Sequence, residues 1–103
     1  MWVSVDLCVV QIGVGVSLSP YIAACERVIV ATGLTHQLGP NGTAIEGPWD
    51  EVMDYVRACH AELHGVGAPR LYTTLKLNTR IDRQQSFVEK VASVEQLLSL
   101  IHI

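Results

Sequence analysis

The stretch GPNGTAIEGPWDE, residues 39–51, combines two turn signals with a short apolar run. Asn41-Gly42 is a pair typical of β-hairpins, and it separates two brief extended segments, 35–38 and 43–46. Gly47-Pro48 then predicts the start of a helix, and two carboxylates follow where the helix dipole favours negative charge. This part of the chain therefore predicts strand, turn, strand and helix in close succession.

The segments on either side predict two further strands and two further helices. Residues 2–12 alternate apolar and polar side chains, as a half-exposed strand does, and residues 71–78 alternate in the same way. Ser19-Pro20 predicts the start of a helix over residues 20–32, which Gly33 ends. Ser86 and Glu89 form a capping box before a last, C-terminal helix.

The order strand, helix, strand, strand, helix, strand, helix predicts an α+β fold. It is the ferredoxin-like βαββαβ sandwich, with a four-stranded antiparallel sheet and an extra C-terminal helix, and we expect residues 1–103 to form a single domain. Helical spacing predicts the inward side of each of the first two helices. These sets are Ile22, Cys25, Val28 or Ile29 and Thr32 for the first, and Val52, Tyr55, Val56, Cys59 and Leu63 for the second.

The first two helices would cover one face of this sheet and leave the other face open. Strand alternation assigns a mixed set of polar and apolar residues to the open face. Such a mixture is too apolar for a bare surface and too polar for a plain dimer core, so it predicts a homo-oligomer. The set is Ser4, Asp6, Cys8, Val10, Ala44, Glu46, Tyr72, Thr74 and Lys76.

Composition narrows the class of protein. Half of the 103 residues are apolar, 17% are charged and the formal net charge is −3, which favours a folded core and disfavours nucleic acid as a partner. Polar residues and glycines interrupt the apolar stretch 3–16, so neither a signal peptide nor a membrane span is expected there. We therefore expect a soluble, cytoplasmic protein, in which Cys8, Cys25 and Cys59 are free buried thiols.

No motif predicts catalysis or a metal centre. No serine, cysteine and histidine grouping supplies a nucleophile with its base, so no catalytic residue is assigned. His60 and His64 stand four residues apart on a helix and could share a metal ion, but two ligands are too few. The glycine-rich segment 13–19 links a strand to a helix and lacks both the Walker lysine and the dinucleotide pattern.

Three segments together resemble a known family, and the resemblance runs from Val3 to about Leu98. They are QIGVGVSLSPYIAAC (11–25), GPNGTAIEGPWDEVM (39–53) and RLYTTLKLNTRIDR (70–83). The chain resembles the thiamine-binding UPF0045 (DUF77) family, the MTH1187/YkoF-like proteins. Gln11 and Asn41 depart from the family pattern, since many relatives have a small residue or proline at the first position and methionine at the second.

The resemblance implies a function as well as a fold. Members are ferredoxin-like chains that assemble through their sheets and bind thiamine or its hydroxymethylpyrimidine moiety, and no enzymatic reaction goes with it. We therefore predict a non-catalytic protein that takes a thiamine-like small molecule as ligand, needs no other cofactor and forms a homodimer or homotetramer. The alternatives are a ligand-free regulatory or structural oligomerisation module, and an enzyme that uses Glu46 or Asp6 as acid or base.

A thiamine site needs a carboxylate, hydroxyl groups and an apolar or aromatic wall. Glu46 is the leading carboxylate, because its strand neighbours are apolar and no local structural role explains it; the alternative is an exposed glutamate at a strand end. Asp6 is second, although pairing with Lys76 across the sheet would also explain it. The candidate ligand-binding residues are Glu46, Thr43, Thr74, Lys76, Ser17, Ser19, Tyr21, Asp6 and Trp49.

Overall fold

The computed structural model describes residues 1–13, 19–83 and 86–101. The elements are β1 (Trp2–Ile12), α1 (Ser19–Thr32), β2 (Thr35–Leu38), β3 (Thr43–Pro48), α2 (Trp49–Gly65), β4 (Arg70–Asn78) and α3 (Phe87–Ile101). The predicted α+β order is confirmed, with a C-terminal helix added to a βαββαβ unit.

The sheet has the strand order β2-β3-β1-β4, and all neighbours are antiparallel. β1 is central: Ser4 pairs with Glu46 of β3 on one side and with Asn78 of β4 on the other. Because paired residues share a face, this register places all nine residues predicted for the open face on one side of the sheet. Helices α1 and α2 lie on the other side.

The core lies between the sheet and these two helices. Val3, Val5 and Leu7 of β1 and Ile45 of β3 meet the buried positions of α2, which are Val52, Tyr55, Cys59 and Leu63. Val56 packs against this cluster, so the predicted inward side of α2 is confirmed.

The predicted inward side of α1 is only partly right. Ala24 and Ile29 are the buried residues of this helix, with Cys25 and Val28 packed against them, whereas Ile22 is 44% exposed and Thr32 is exposed. The helical period was correct and the phase was not, because the small side chain of Ala24 carries little weight in an apolar pattern yet occupies the inward position.

At two positions the structure requires glycine, and the physical reason differs between them. Gly33 has a φ of 73° and its N–H donates to the carbonyl of Val30, which ends α1 as predicted. Gly47 is buried, and a Cβ at this position would lie 2.7 Å from Cδ2 of Leu34. The absence of a side chain lets β3 continue past Leu34 to Pro48, so α2 begins at Trp49 rather than at the predicted Gly47-Pro48.

The tip of the β2–β3 turn is one residue earlier in the chain than the Asn41-Gly42 signal suggests. The N–H of Gly39 donates to the carbonyl of Gly42 at 2.8 Å, so Pro40 and Asn41 form the tip of the hairpin. Gly42 is not among the described glycines with positive φ, and the turn is therefore not built around a left-handed Asn-Gly pair.

Cys25 of α1 and Cys59 of α2 form a disulfide, with Cα atoms 5.4 Å apart. The prediction of three free thiols was wrong for this pair, while Cys8 is free and half-buried. The two residues are 34 positions apart in the sequence, and only the packing of α1 against α2 brings them together. The bond joins the two helices of the covering layer.

Helix α3 projects from the sandwich. Every residue from 91 to 100 is exposed, including the apolar Val91, Val94, Leu97, Leu98 and Leu100. The radius of gyration is 15.7 Å, whereas a compact domain of this length has about 13 Å. Within the described ranges, no helix has the length and apolarity needed to cross a membrane.

Candidate functional site

Glu46 lies on the open face of the sheet, yet it is only 3% exposed. Its Oε2 accepts a hydrogen bond from the backbone N–H of Phe87 at 3.1 Å. Phe87 is the first residue of α3, where N–H groups have no partner within the helix. The carboxylate therefore satisfies one of these groups and holds the start of α3 against the sheet.

The other predicted residues of the open face surround this contact. Asp6 pairs with Lys76 across β1 and β4, and Thr74 pairs with Cys8. Asp6 also lies against the hairpin, since a Cβ at Gly42 would be 2.8 Å from its Oδ1. All of these side chains are partly or fully exposed, so the open face presents a polar surface rather than an enclosed site.

The remaining predicted residues lie elsewhere. Thr43 points to the helix-covered side, where its hydroxyl donates to Oε1 of Glu26 at 3.2 Å. Tyr21 and Trp49 are half-buried against the core, and Ser19 is an exposed first residue of α1. Ser17 lies outside the described residues. The eight candidates that the structure describes are thus divided between the open face, the helix-covered side and the starts of two helices, and they do not form one group.

A cavity of about 270 Å³ lies on the helix-covered side, between the sheet and the two helices. β1 contributes Leu7, Val9 and Gln11 to its wall, and α1 contributes Cys25 and Glu26. The disulfide forms part of the lining, together with residues 38–43 of the β2–β3 hairpin. The wall is mainly apolar, as in most small-molecule sites.

Few polar groups line this cavity, and they differ in whether they already have hydrogen-bond partners. The Glu26 carboxylate accepts from Thr43, and its Oε2 lies 4.0 Å from Nε2 of His36. The Tyr55 hydroxyl donates to the carbonyl of Cys25 at 3.3 Å. Burial, and to a smaller extent the charge of Glu26, raises the pKa of Tyr55 to about 12, so this hydroxyl stays neutral at physiological pH.

Gln11 is the exception among these groups. It is 6% exposed, and within residues 1–13, 19–83 and 86–101 no hydrogen-bond partner exists for its Nε2 atom. Buried polar groups are nearly always paired, so the unpaired amide nitrogen of Gln11 in this wall is an exception that needs a physical reason.

Neither Gln11 nor Glu26 was among the residues predicted for the site, although the resemblance had marked Gln11 as a departure from the family pattern. Gln11 had a signal: it occupies the inward phase of β1, in line with Val3, Val5 and Leu7, where a polar residue is unusual. No sequence signal indicated Glu26, because a carboxylate in the middle of a helix is common on any exposed face.

The two histidines of α2 have structural partners. His60 Nε2 lies 2.6 Å from Oγ1 of Thr73, and His64 Nδ1 lies 2.7 Å from the carbonyl oxygen of Ala68. The first contact ties α2 to β4 and the second closes the end of α2. In the part of the chain that the structure describes, no three histidine, cysteine, aspartate or glutamate side chains are grouped to hold a metal ion.

The ferredoxin-like sandwich, with a largely apolar cavity beside it, defines the class of the chain as an α+β protein of this fold. Within that class the chain belongs to the thiamine-binding protein family, whose model matches residues 5–95. A UPF0045 protein of the cyanobacterium Synechocystis is 52% identical over 98 residues, covering 95% of this chain and 81% of the relative. A UPF0045 protein of Eremothecium gossypii is 41% identical, covering 92% and 91%.

Solved structures share the fold. A hypothetical protein of Methanocaldococcus jannaschii superposes with a TM-score of 0.82 at 23% identity, covering 91% of this chain and 96% of the other. A candidate thiamine biosynthesis/salvage protein of Thermotoga maritima superposes with a TM-score of 0.79 at 26% identity, covering 91% and 99%.

Proposed function

We propose that this protein binds thiamine or its hydroxymethylpyrimidine moiety without transforming it. Membership of the thiamine-binding family supports the choice of ligand. The observation that carries the proposal is the cavity of about 270 Å³ beneath α1, which is large enough for a small heterocycle and contains an uncommitted polar group.

The lining suits the chemistry of thiamine. Its aminopyrimidine ring is flat and largely apolar, with hydrogen-bonding atoms along one edge, and its thiazolium ring is permanently cationic. Among the described residues that line the cavity, Glu26 is the charged one, and a carboxylate in a partly buried site attracts a cation. The apolar wall can contact the faces of both rings.

A binding role without catalysis is the simpler interpretation of these residues. Within the described lining, Cys25 and Cys59 are joined in the disulfide and so are not nucleophiles, while the free thiol of Cys8 belongs to the phase of β1 that faces the other side of the sheet. The Tyr55 hydroxyl, with its raised pKa, is a poor general base at neutral pH. The described wall therefore supplies recognition groups and no assembled nucleophile with its base.

We extend the proposal to a homodimer or homotetramer. The open sheet face and the apolar side of α3 are both uncovered within one chain, and Val10, Ile12 and Tyr72 add exposed apolar area to the face. A second copy that covers these surfaces would remove them from water. Sedimentation velocity that shows only monomer at micromolar concentration would contradict this part of the proposal.

A cytoplasmic location also stays a prediction. A reducing cytoplasm keeps most cysteines as thiols, so Cys25 and Cys59 would there be at least partly reduced. Trapping the thiols in intact cells and determining the fraction of paired Cys25 and Cys59 by mass spectrometry reports on the compartment.

Isothermal titration of the wild-type protein with thiamine, and separately with free hydroxymethylpyrimidine, tests the ligand directly. We expect saturable binding of at least one of them and a matching rise in melting temperature. Absence of heat and of any thermal shift with both compounds would overturn the proposed function.

A second candidate function, a ligand-free oligomerisation module, is favoured by the exposed apolar side of α3. The two functions predict different results for Val94→Asp, which places a charge on that side. If the protein binds thiamine, Val94→Asp weakens the assembly and keeps the ligand affinity of the wild type. If it is an oligomerisation module, neither the wild type nor the variant binds the ligand. Lys90→Asp, on the same helix, is the matched control for adding an acidic residue.

A further inference from the structure

The position of Gln11 in the sheet is unusual for a glutamine. It lies on the side of β1 that faces the helices, where Val3, Val5 and Leu7 are core residues, and it is 94% removed from solvent. An amide buried in such a place without a partner makes the folded state less stable than an apolar side chain of the same size would.

The surroundings of the amide do not supply a partner among the described residues. The cavity wall contains apolar side chains such as Val9 and Ile22, and the hydroxyls of Thr43 and Tyr55 are bonded to Glu26 and to the carbonyl of Cys25. Gln11 thus belongs to the cavity wall, and its Nε2 atom is buried without a hydrogen-bond partner among the described residues.

We propose that the side-chain amide of Gln11 recognises the hydrogen-bonding edge of an aminopyrimidine in this cavity, which makes it the specificity-determining residue of the site. The inference rests on the proposed function and adds where the ligand binds and which side-chain group recognises it. An amide N–H donates to a ring nitrogen while its carbonyl oxygen accepts from the adjacent exocyclic amine. Glutamine reads the edge of adenine in DNA through the same paired contact.

The charge of the cavity narrows the ligand class further. Glu26 is half-buried and already committed to Thr43, so it stays in the wall when a ligand binds. It repels a phosphate ester and tolerates a neutral or cationic molecule. The site therefore takes an unphosphorylated aminopyrimidine, with or without an attached cationic ring.

Gln11→Met tests the role of the amide, since methionine has nearly the same length and shape but forms no such hydrogen bonds. Gln37→Met is the matched control, because Gln37 is exposed on β2 and does not line the cavity. We expect Gln11→Met to weaken hydroxymethylpyrimidine binding by tenfold or more, about 1.4 kcal/mol per factor of ten, and Gln37→Met to leave it unchanged. The unliganded Gln11→Met protein should melt at the same or a higher temperature than the wild type.

The melting temperature separates recognition from a structural role. If unliganded Gln11→Met melts several degrees below the wild type, the amide has a partner in the empty protein, such as a buried water, and the inference is overturned. Equal affinity of Gln11→Met and the wild type for hydroxymethylpyrimidine would also overturn the inference about Gln11. The proposed function would still hold in that case, because the wild type binds the ligand. Failure of the wild type itself to bind would instead remove the proposed function.

A second measurement uses only the wild-type protein. Two probes differing in one group, hydroxymethylpyrimidine and the same pyrimidine without its exocyclic amine, are titrated side by side. The inference expects at least a tenfold loss for the probe without the amine, since the amide oxygen then lacks its donor. Equal binding of the two probes would refute recognition of that edge.

Discussion

The carboxylate of Glu46, on the open face of the sheet, accepts a hydrogen bond from the backbone N–H of Phe87, 41 residues further along the chain. The hydroxyl of Ser86 accepts from the N–H of Glu89 at the same helix end, as the capping box predicts. The start of α3 is therefore held both by its own cap and by a side chain of the sheet.

Replacing Glu46 tests this anchoring. We expect Glu46→Ala to destabilise the start of α3 by about 0.5 to 2 kcal/mol, because a helix N–H loses its acceptor and the dipole loses a nearby negative charge. Amide hydrogen exchange at residues 87–90 should accelerate, while Glu95→Ala, exposed on the same helix, should leave exchange there unchanged. Glu46→Ala should bind hydroxymethylpyrimidine with the affinity of the wild type. A large loss of affinity would show that Glu46 contributes to ligand binding.

Removing the charge of Glu26 should change the preference between two ligands. Glu26→Gln keeps the shape and an acceptor for Thr43 but takes away the negative charge that attracts the thiazolium ring. We expect thiamine to lose about threefold to tenfold in affinity and neutral hydroxymethylpyrimidine to lose less, as calorimetry would measure. Glu62→Gln, exposed on α2, is the control. An equal loss for both ligands would show that the charge of Glu26 does not act on the cationic ring.

Opening the disulfide should lower stability substantially. The chain-entropy model for a bond that closes 34 residues gives about 3 to 4 kcal/mol. Denaturant unfolding of Cys59→Ser should therefore show a clearly lower midpoint, and a reductant should shift the wild type in the same direction. Cys8→Ser, which removes the free thiol, should change stability by less than about 1 kcal/mol. A wild type that unfolds identically with and without reductant would show that the bond does not form in solution.

Alkaline pH should reveal the burial of Tyr55. Its pKa is about 12 in the folded protein, against an ordinary value of 10 in the unfolded chain. Below pH 10 both states keep the phenolic proton and the contribution to stability is complete. Between pH 10 and pH 12 the unfolded chain loses the proton and the folded protein retains it, so the free energy of unfolding falls as the pH rises.

Denaturant midpoints across that window measure the effect. Tyr55→Phe should show a shallower fall than the wild type, since the titrating group is gone. Identical slopes for wild type and Tyr55→Phe would mean that the hydroxyl titrates alike in both states.

Local patterns predicted most of the fold. The alternation of β1 and β4 assigned the two faces correctly, and Gly33 ended α1 as expected. The errors arose where a tertiary contact competes with a local signal. β3 continues through Gly47 because Leu34 packs at the site of its missing side chain, and Cys25 meets Cys59 only through helix packing.

The candidate site was harder to predict than the fold. The nine predicted residues were chosen from local patterns and by resemblance, and neither shows that Glu46 meets a helix end 41 residues away. A cavity depends on how far two helices stand from a sheet, which no residue pattern encodes. Gln11, already marked as a departure from the family pattern, is also a conflict visible in the sequence alone, because it is a glutamine in the buried phase of a central strand.

The disulfide between α1 and α2 affects how a ligand can enter and leave the cavity. It pins the helices to each other at the cavity wall, so they cannot part to admit a molecule. The hairpin tip at Pro40 and Asn41 has no such covalent tie and closes the same volume from the other side. We therefore expect the rates of ligand entry and escape to follow the motion of this tip as long as the disulfide is intact.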